Sequence, residues 1–124
     1  MKFDTLNQLL SVAVESYQKP DAISYKKNDV WQHISSEEWL QRSRHIALGF
    51  YEIGVRKGDR VSLLSENRFE WFLVDAALQI LGAVNVPMYA TLTPSQIAYV
   101  VNDSGSKVVV VSNEVQQSKV AEIR

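Results

Sequence analysis

Residues 60–89 read RVSLLSENRFEWFLVDAALQILGAVNVPMY, and this stretch decides the fold. Its first five residues, 60–64, have the apolar content and length of a strand. Asn67, with Glu70 three residues later, predicts a capped helix start. Phe72, Ala76 and Ile80 then recur at helical spacing up to Gly82, a residue suited to a left-handed helix end. A second strand follows over 83–88, with Pro87 as its stop. Strand, helix and strand joined by short connections imply a right-handed crossover between parallel strands.

The rhythm continues downstream. Thr93-Pro94 opens another helix, with proline at the first helical position where its missing N–H costs nothing. Gly105 ends it. Residues 107–111 form a third strand that is nearly all valine, as expected where both faces are covered. Helix resumes from Asn113. Upstream, Leu6, Leu9, Leu10, Ala13, Val14 and Tyr17 predict a helix with Asp4 or Thr5 as N-cap and Pro20 beyond its end. Residues 22–26 and 30–34 read as two strands around a turn at Lys27-Asn28-Asp29, a hairpin lying apart from the parallel sheet. Ser35 with Glu38 forms a capping box for a long helix with Trp39, Ile46, Phe50 and Ile53 on its apolar side and Gly54 at its close. The expected fold class is α/β: a partial parallel sheet with helices on both faces, plus a small N-terminal β-hairpin. Residues 1–53 carry the first helix, hairpin and long helix; residues 54–124 begin the βαβαβ unit.

Composition narrows the function. With 124 residues the chain is long enough for a core without disulfides, and there is no cysteine to make one. A formal net charge of -1 and the lack of any run of Lys or Arg argue against nucleic acid as a partner. The first 17 residues are interrupted by Asp4, Asn7, Gln8 and Glu15, unlike a secretory signal, and no stretch approaches the roughly 18 apolar residues of a membrane span. A cytoplasmic location is expected.

Ligands of open parallel sheets sit beyond the C-terminal strand ends. The turn after the first parallel strand, Ser65-Glu66-Asn67-Arg68, has no glycine, so neither a dinucleotide fingerprint nor a P-loop is present. Asn67 stands where it can donate to a ligand, although capping its helix is the commoner role for asparagine there. Glu66 and Arg68 read as solvated loop charges. His33 and His45 lack partners at metal or catalytic spacing, and Glu37-Glu38 are helix-start charges rather than an acid–base pair. Trp31, Trp39 and Trp71 read as core or partner-facing packing without a basic groove beside them. The loop over 89–93 is well placed for a ligand contact but names no reaction.

Four segments carry a resemblance. Gly54-Val55-Arg56-Lys57-Gly58-Asp59-Arg60-Val61 is similar to the Gly-(Ile/Val)-x-x-Gly-Asp-x-Val segment of AMP-dependent synthetases and ligases, the adenylate-forming superfamily. Ser65-Glu66-Asn67-Arg68-Phe69-Glu70-Trp71, then residues 82–91, then residues 92–105, follow that family's wording in order. Phe69 and Ala90 stand where many members carry proline. The pattern most resembles long-chain fatty acyl-CoA synthetases, so the chain is identified as the N-terminal portion of an AMP-binding (adenylation) domain over 1–124.

The resemblance implies a fatty acid–CoA ligase (AMP-forming) that turns a carboxylate and ATP into an acyl-adenylate and passes the acyl group to coenzyme A. ATP, Mg2+ and coenzyme A are implied for the full-length enzyme, and none is expected to bind these residues tightly. A fatty acid or other carboxylic acid is the implied substrate, and peripheral membrane association of the full-length enzyme stays open. The family's phosphate loop and its lysine, its magnesium-holding glutamate and its ribose aspartate have no counterpart here. No catalytic, cofactor-binding or metal residue is therefore carried over, and the chain alone is expected to be inactive. The matched positions near a ligand face are Asn67, Tyr89 and Thr91, expected to shape the sheet edge. Self-association through an uncovered edge at the last strand is expected. A self-contained α/β binding or interaction module is the alternative, and a flavodoxin-like domain the weaker third.

Overall fold

A computed structural model describes residues 4–123; Met1 to Phe3 and Arg124, the ends of the expected 1–124 span, lie outside the described residues. In chain order the elements are α1 (Leu6–Tyr17), β1 (Ile23–Lys27), β2 (Val30–Ile34), α2 (Ser36–Glu52), β3 (Arg60–Ser65), α3 (Phe69–Leu81), β4 (Val84–Tyr89), α4 (Pro94–Ser104), β5 (Val108–Val111) and α5 (Glu114–Ala121). The expected α/β class holds, with β3 central in a parallel sheet ordered β4-β3-β5 and an antiparallel β1-β2 hairpin apart from it.

Local chemistry explains most boundaries. Thr5 caps α1 by accepting from the Gln8 N–H at 3.1 Å. The hairpin turns on Asn28 and Asp29, at φ 51° and 62°, residue types whose short polar side chains tolerate the left-handed region. Ser35 accepts from the Glu38 N–H at 3.1 Å. Only that half of the predicted capping box is seen, because the Glu38 carboxylate turns to Arg42 one helical turn on, at 3.7 Å. The buried row of α2 is Ser36, Leu40, Ser43, Ala47 and Phe50. Ile53, predicted on that side, falls next to the row's following position and is 64% exposed.

Two further expectations change. Pro87 does not stop β4 but lies inside it, opposite Leu63. β4 is an edge strand, where half the N–H groups point away from the ladder and proline is tolerated. The buried face of α3 is Leu73, Ala76, Ala77 and Leu78, while Phe72 is 45% exposed. Apart from Glu70, Asp75 and Gln79 the residues of α3 are apolar all round, so periodicity alone does not choose its inner face.

Helices cover both sheet faces. On one, Ala47 and Phe50 of α2 and Ala77 and Leu78 of α3 pack with Val55 and Val61, and Val108 and Val110 join them. On the other, Leu64, Met88 and Ile97 gather Val109, Val111, Val120 and Ile123. The opposite allegiance of Val61 and Leu64 follows from strand alternation. Leu10 of α1 packs outside α2 and α3 against Leu40 and Ala76. β4 and β5 are both edges, and every residue of β5 is only half-buried. Among the described residues no helix is long and apolar enough to cross a membrane.

Candidate functional site

The strands deliver three loops to one end of the sheet: residues 66–68 after β3, 90–93 after β4 and 112–113 after β5. The first is not built as the sequence predicts. Arg68, not Asn67, is the N-cap of α3, and no side-chain bond closes that cap. Asn67 is exposed, its side chain released from the capping role. Arg68 is no free solvated charge either: it donates to the Ser112 carbonyl at 2.9 Å and pairs with Glu70 at 3.3 Å.

Glu66 is the centre of a network that sequence reasoning missed. Its carboxylate accepts from the Ser112 hydroxyl, from Asn113 Nδ2 at 3.1 Å and from Gln116 Nε2 at 2.8 Å. The Ser112 and Gln116 hydrogen bonds, in that order, hold its carboxyl down to about 2 from an ordinary value of 4.5. Gln116 is 2% exposed, and its Nε2 also donates to the Ala90 carbonyl at 3.1 Å. Lys119 Nζ reaches the same carbonyl at 2.8 Å. These partners lie between 26 and 50 residues apart, a separation that no local motif announces.

Of the three sequence-predicted positions, the fold brings two together. Asn67 and Tyr89 line one cleft of about 630 Å³, with Trp71, Phe72, Pro87 and Met88 as its apolar wall. Tyr89 is 81% exposed at its rim. Thr91 is exposed on the loop that follows Tyr89, the last residue of β4, but does not line this cleft. A second cleft, of about 670 Å³, separates the hairpin from the start of α3 and shares Asn67 and Phe72 with the first. At its edge Tyr25 stacks on Phe69 with ring centroids 4.4 Å apart.

Residues 12–124 match the family of AMP-binding enzymes. The chain belongs to that family. Its relatives include the long-chain-fatty-acid–CoA ligase FadD15 of Mycobacterium bovis, 35% identical over 106 residues that make up 84% of this chain and 18% of that protein. Another is the long-chain-fatty-acid–CoA ligase ACSBG1 of Rattus norvegicus, 28% identical over 96% of this chain and 16% of its own length. The crystal structure of the N-terminal domain of FACL13 from Mycobacterium tuberculosis superposes with a TM-score of 0.81 at 25% identity, covering 98% of this chain and 30% of that one. The chain thus spans less than a fifth of the length of those curated relatives.

Adenylate-forming ligases in general use ATP, Mg2+ and coenzyme A. At this edge the polar side chains of the described residues are largely committed to one another. No three His, Asp or Glu side chains converge on one point among them. The acid best placed, Glu66, already accepts from three donors. Helix starts that face this edge are also poor anion sites: α3 and α5 carry Glu70 and Glu114 in their first turns, and the Thr93–Gln96 capping box closes α4. His33 spends Nδ1 on Ser24 at 2.8 Å. Trp39 is a packing residue whose Nε1 donates to the Phe72 carbonyl at 3.3 Å.

Proposed function

We propose that these residues form the opening part of a long-chain fatty acid–CoA ligase, acting in the cytoplasm. In that reading they supply the first strands and the ligand-facing loops on which an adenylation site is built, and they contribute no catalytic group. The observation that carries the reading is the family match together with 35% identity to a long-chain-fatty-acid–CoA ligase over 84% of the chain. The network around Glu66 supports it, since it organises the sheet edge where ligands of such folds bind. Asn67, Tyr89 and Thr91 are positions on that edge which shape it without reacting.

The test is AMP and pyrophosphate release from ATP and coenzyme A, with carboxylic acids graded from acetate to stearate. A polypeptide that continues through a phosphate loop is expected to turn over with the longer acids. Residues 1–124 alone are expected to show no ATP–pyrophosphate exchange. Exchange by the pure 124-residue chain, or preference for acetate by the longer one, would refute the reading. Alone, the chain is also expected to self-associate through its β4 and β5 edges, visible by sedimentation velocity.

A further inference from the structure

Asn67 stands on one loop, Thr91 on another that starts directly after Tyr89 at the end of β4, and one helix of eight residues, with the two residues before it, grips both. On the first loop the gripped residue is Glu66, the immediate neighbour of Asn67. It is held by Ser112, by the N-cap Asn113 and by Gln116. On the second the gripped group is the Ala90 carbonyl, which belongs to the peptide leading into Thr91 and lies one residue beyond Tyr89. It is held by Gln116 at 3.1 Å and Lys119 at 2.8 Å, residues three apart and so on one face of α5.

We propose that Gln116 is a positioning residue, with Lys119 as its second anchor: α5 sets where Tyr89 and Thr91 stand relative to Asn67. The kinetic part of this inference rests on the ligase reading above; the structural part does not.

Packing does not call for an amide at this place. Val120 and Ile123 already cover the sheet with Leu64, Met88 and Ile97. A buried amide is worse than leucine unless its groups are bonded, and the Gln116 Oε1 has no partner among the described residues. What leucine could not do is reach two acceptors from one nitrogen. The two N–H bonds of a primary amide diverge in a fixed plane. With one on Glu66 and the other on Ala90, the distance between the two loops is set. Lys119 donates to the same carbonyl at 2.8 Å, which gives that peptide a second anchor on α5.

The experiment compares the full chain that the gene encodes with its Gln116→Leu and Lys119→Met variants. The first readout is hydrogen exchange at the Leu92 amide, which donates to the Tyr89 carbonyl at 3.1 Å within the gripped loop. Gln116→Leu is expected to speed it about tenfold while the amides of β3 keep their protection. The second is steady-state kinetics: KM for the preferred carboxylate rises about tenfold with kcat held within about twofold, and discrimination between chain lengths narrows. Lys119→Met is expected to move both in the same direction by less.

Unchanged exchange at Leu92 in both variants overturns the inference. Faster exchange with unaltered kinetics overturns its role in the reaction. A wild-type chain that releases no AMP with any carboxylate sinks the ligase reading instead, and exchange at Leu92 still decides the structural part. Should Gln116→Leu fail to fold, Lys119→Met, which keeps the aliphatic stem, carries the same decision.

Discussion

The two ends of the parallel sheet are closed by different means. At the N-terminal ends of the strands, backbone turns at glycines lead. Gly82 and Gly105 end α3 and α4 at φ 72° and 67°, which returns the chain to the sheet within a few residues. Gly58 N–H then donates to the Gly82 carbonyl, and Val84 and Lys107 donate to Asp59 and Arg60, all within 3.0 Å. Side chains add two ties: the Ser62, Ser106 and Ser104 hydroxyls bond in a chain at 2.6 and 2.7 Å, and Asp59 accepts from the Arg56 N–H at 2.7 Å and pairs with Lys107 at 3.2 Å, which lowers its pKa, the Arg56 bond first. At the C-terminal ends no glycine intervenes, and side chains of Glu66, Arg68, Gln116 and Lys119 hold the loops. A glycine turn leaves no side chain at the surface, whereas a loop held from behind by its neighbours keeps its own side chains free to face a ligand. That is the lesson of the contrast.

A substitution between the two ends gives the largest effect and should not distinguish them. Leu64 is fully buried, and Leu64→Ala is expected to cost about 2–5 kcal/mol. Denaturant unfolding should show it, with amide protection falling at both ends together. Loss at one end alone would mean that the sheet is not one cooperative unit.

Gly82→Ala comes next and should separate the ends. Its φ of 72° is strained for alanine, at about 1–2 kcal/mol. The added Cβ would meet only the flexible Lys57 side chain, its Cγ nearest at 3.1 Å, so backbone conformation dominates the cost. The unfolding midpoint should drop while exchange at Leu92, relative to global stability, stays as in the parent.

The smallest effect is a pH signature confined to the other end. Glu66 titrates near 2 when folded against 4.5 ordinarily, so its ionised form favours the folded chain. That stabilisation is fully present above about pH 4.5 and is lost as pH falls toward 2. Thermal unfolding of Glu66→Gln against the parent should therefore show a gap at neutral pH that closes across this window. A gap independent of pH would mean that Glu66 acts through shape, not charge.

Much of the fold is legible in the sequence. Element order, the hairpin and its Asn28-Asp29 turn, the Thr93-Pro94 helix start and the glycine helix ends all rest on interactions between near neighbours in the chain. The family could be read as well, because its motif from Gly54 to Val61 is made of such local turns. The site was legible only in outline. Asn67, Tyr89 and Thr91 lie near the C-terminal ends of the strands, as their sequence positions imply, but Asn67 does not cap α3, and Glu66 and Arg68 are held by long-range hydrogen bonds rather than being solvated charges.

Sequence by itself therefore determined this protein's elements, its parallel sheet and its family, since propensities, caps and turns act over three or four residues. Only the tertiary structure decided that Pro87 lies within an edge strand and that Ile53 faces outward. It alone showed that Gln116 joins Glu66 to Ala90. Those facts depend on which strand ends up beside which, and on hydrogen bonds between groups up to 50 residues apart, whose pairing the folded chain creates.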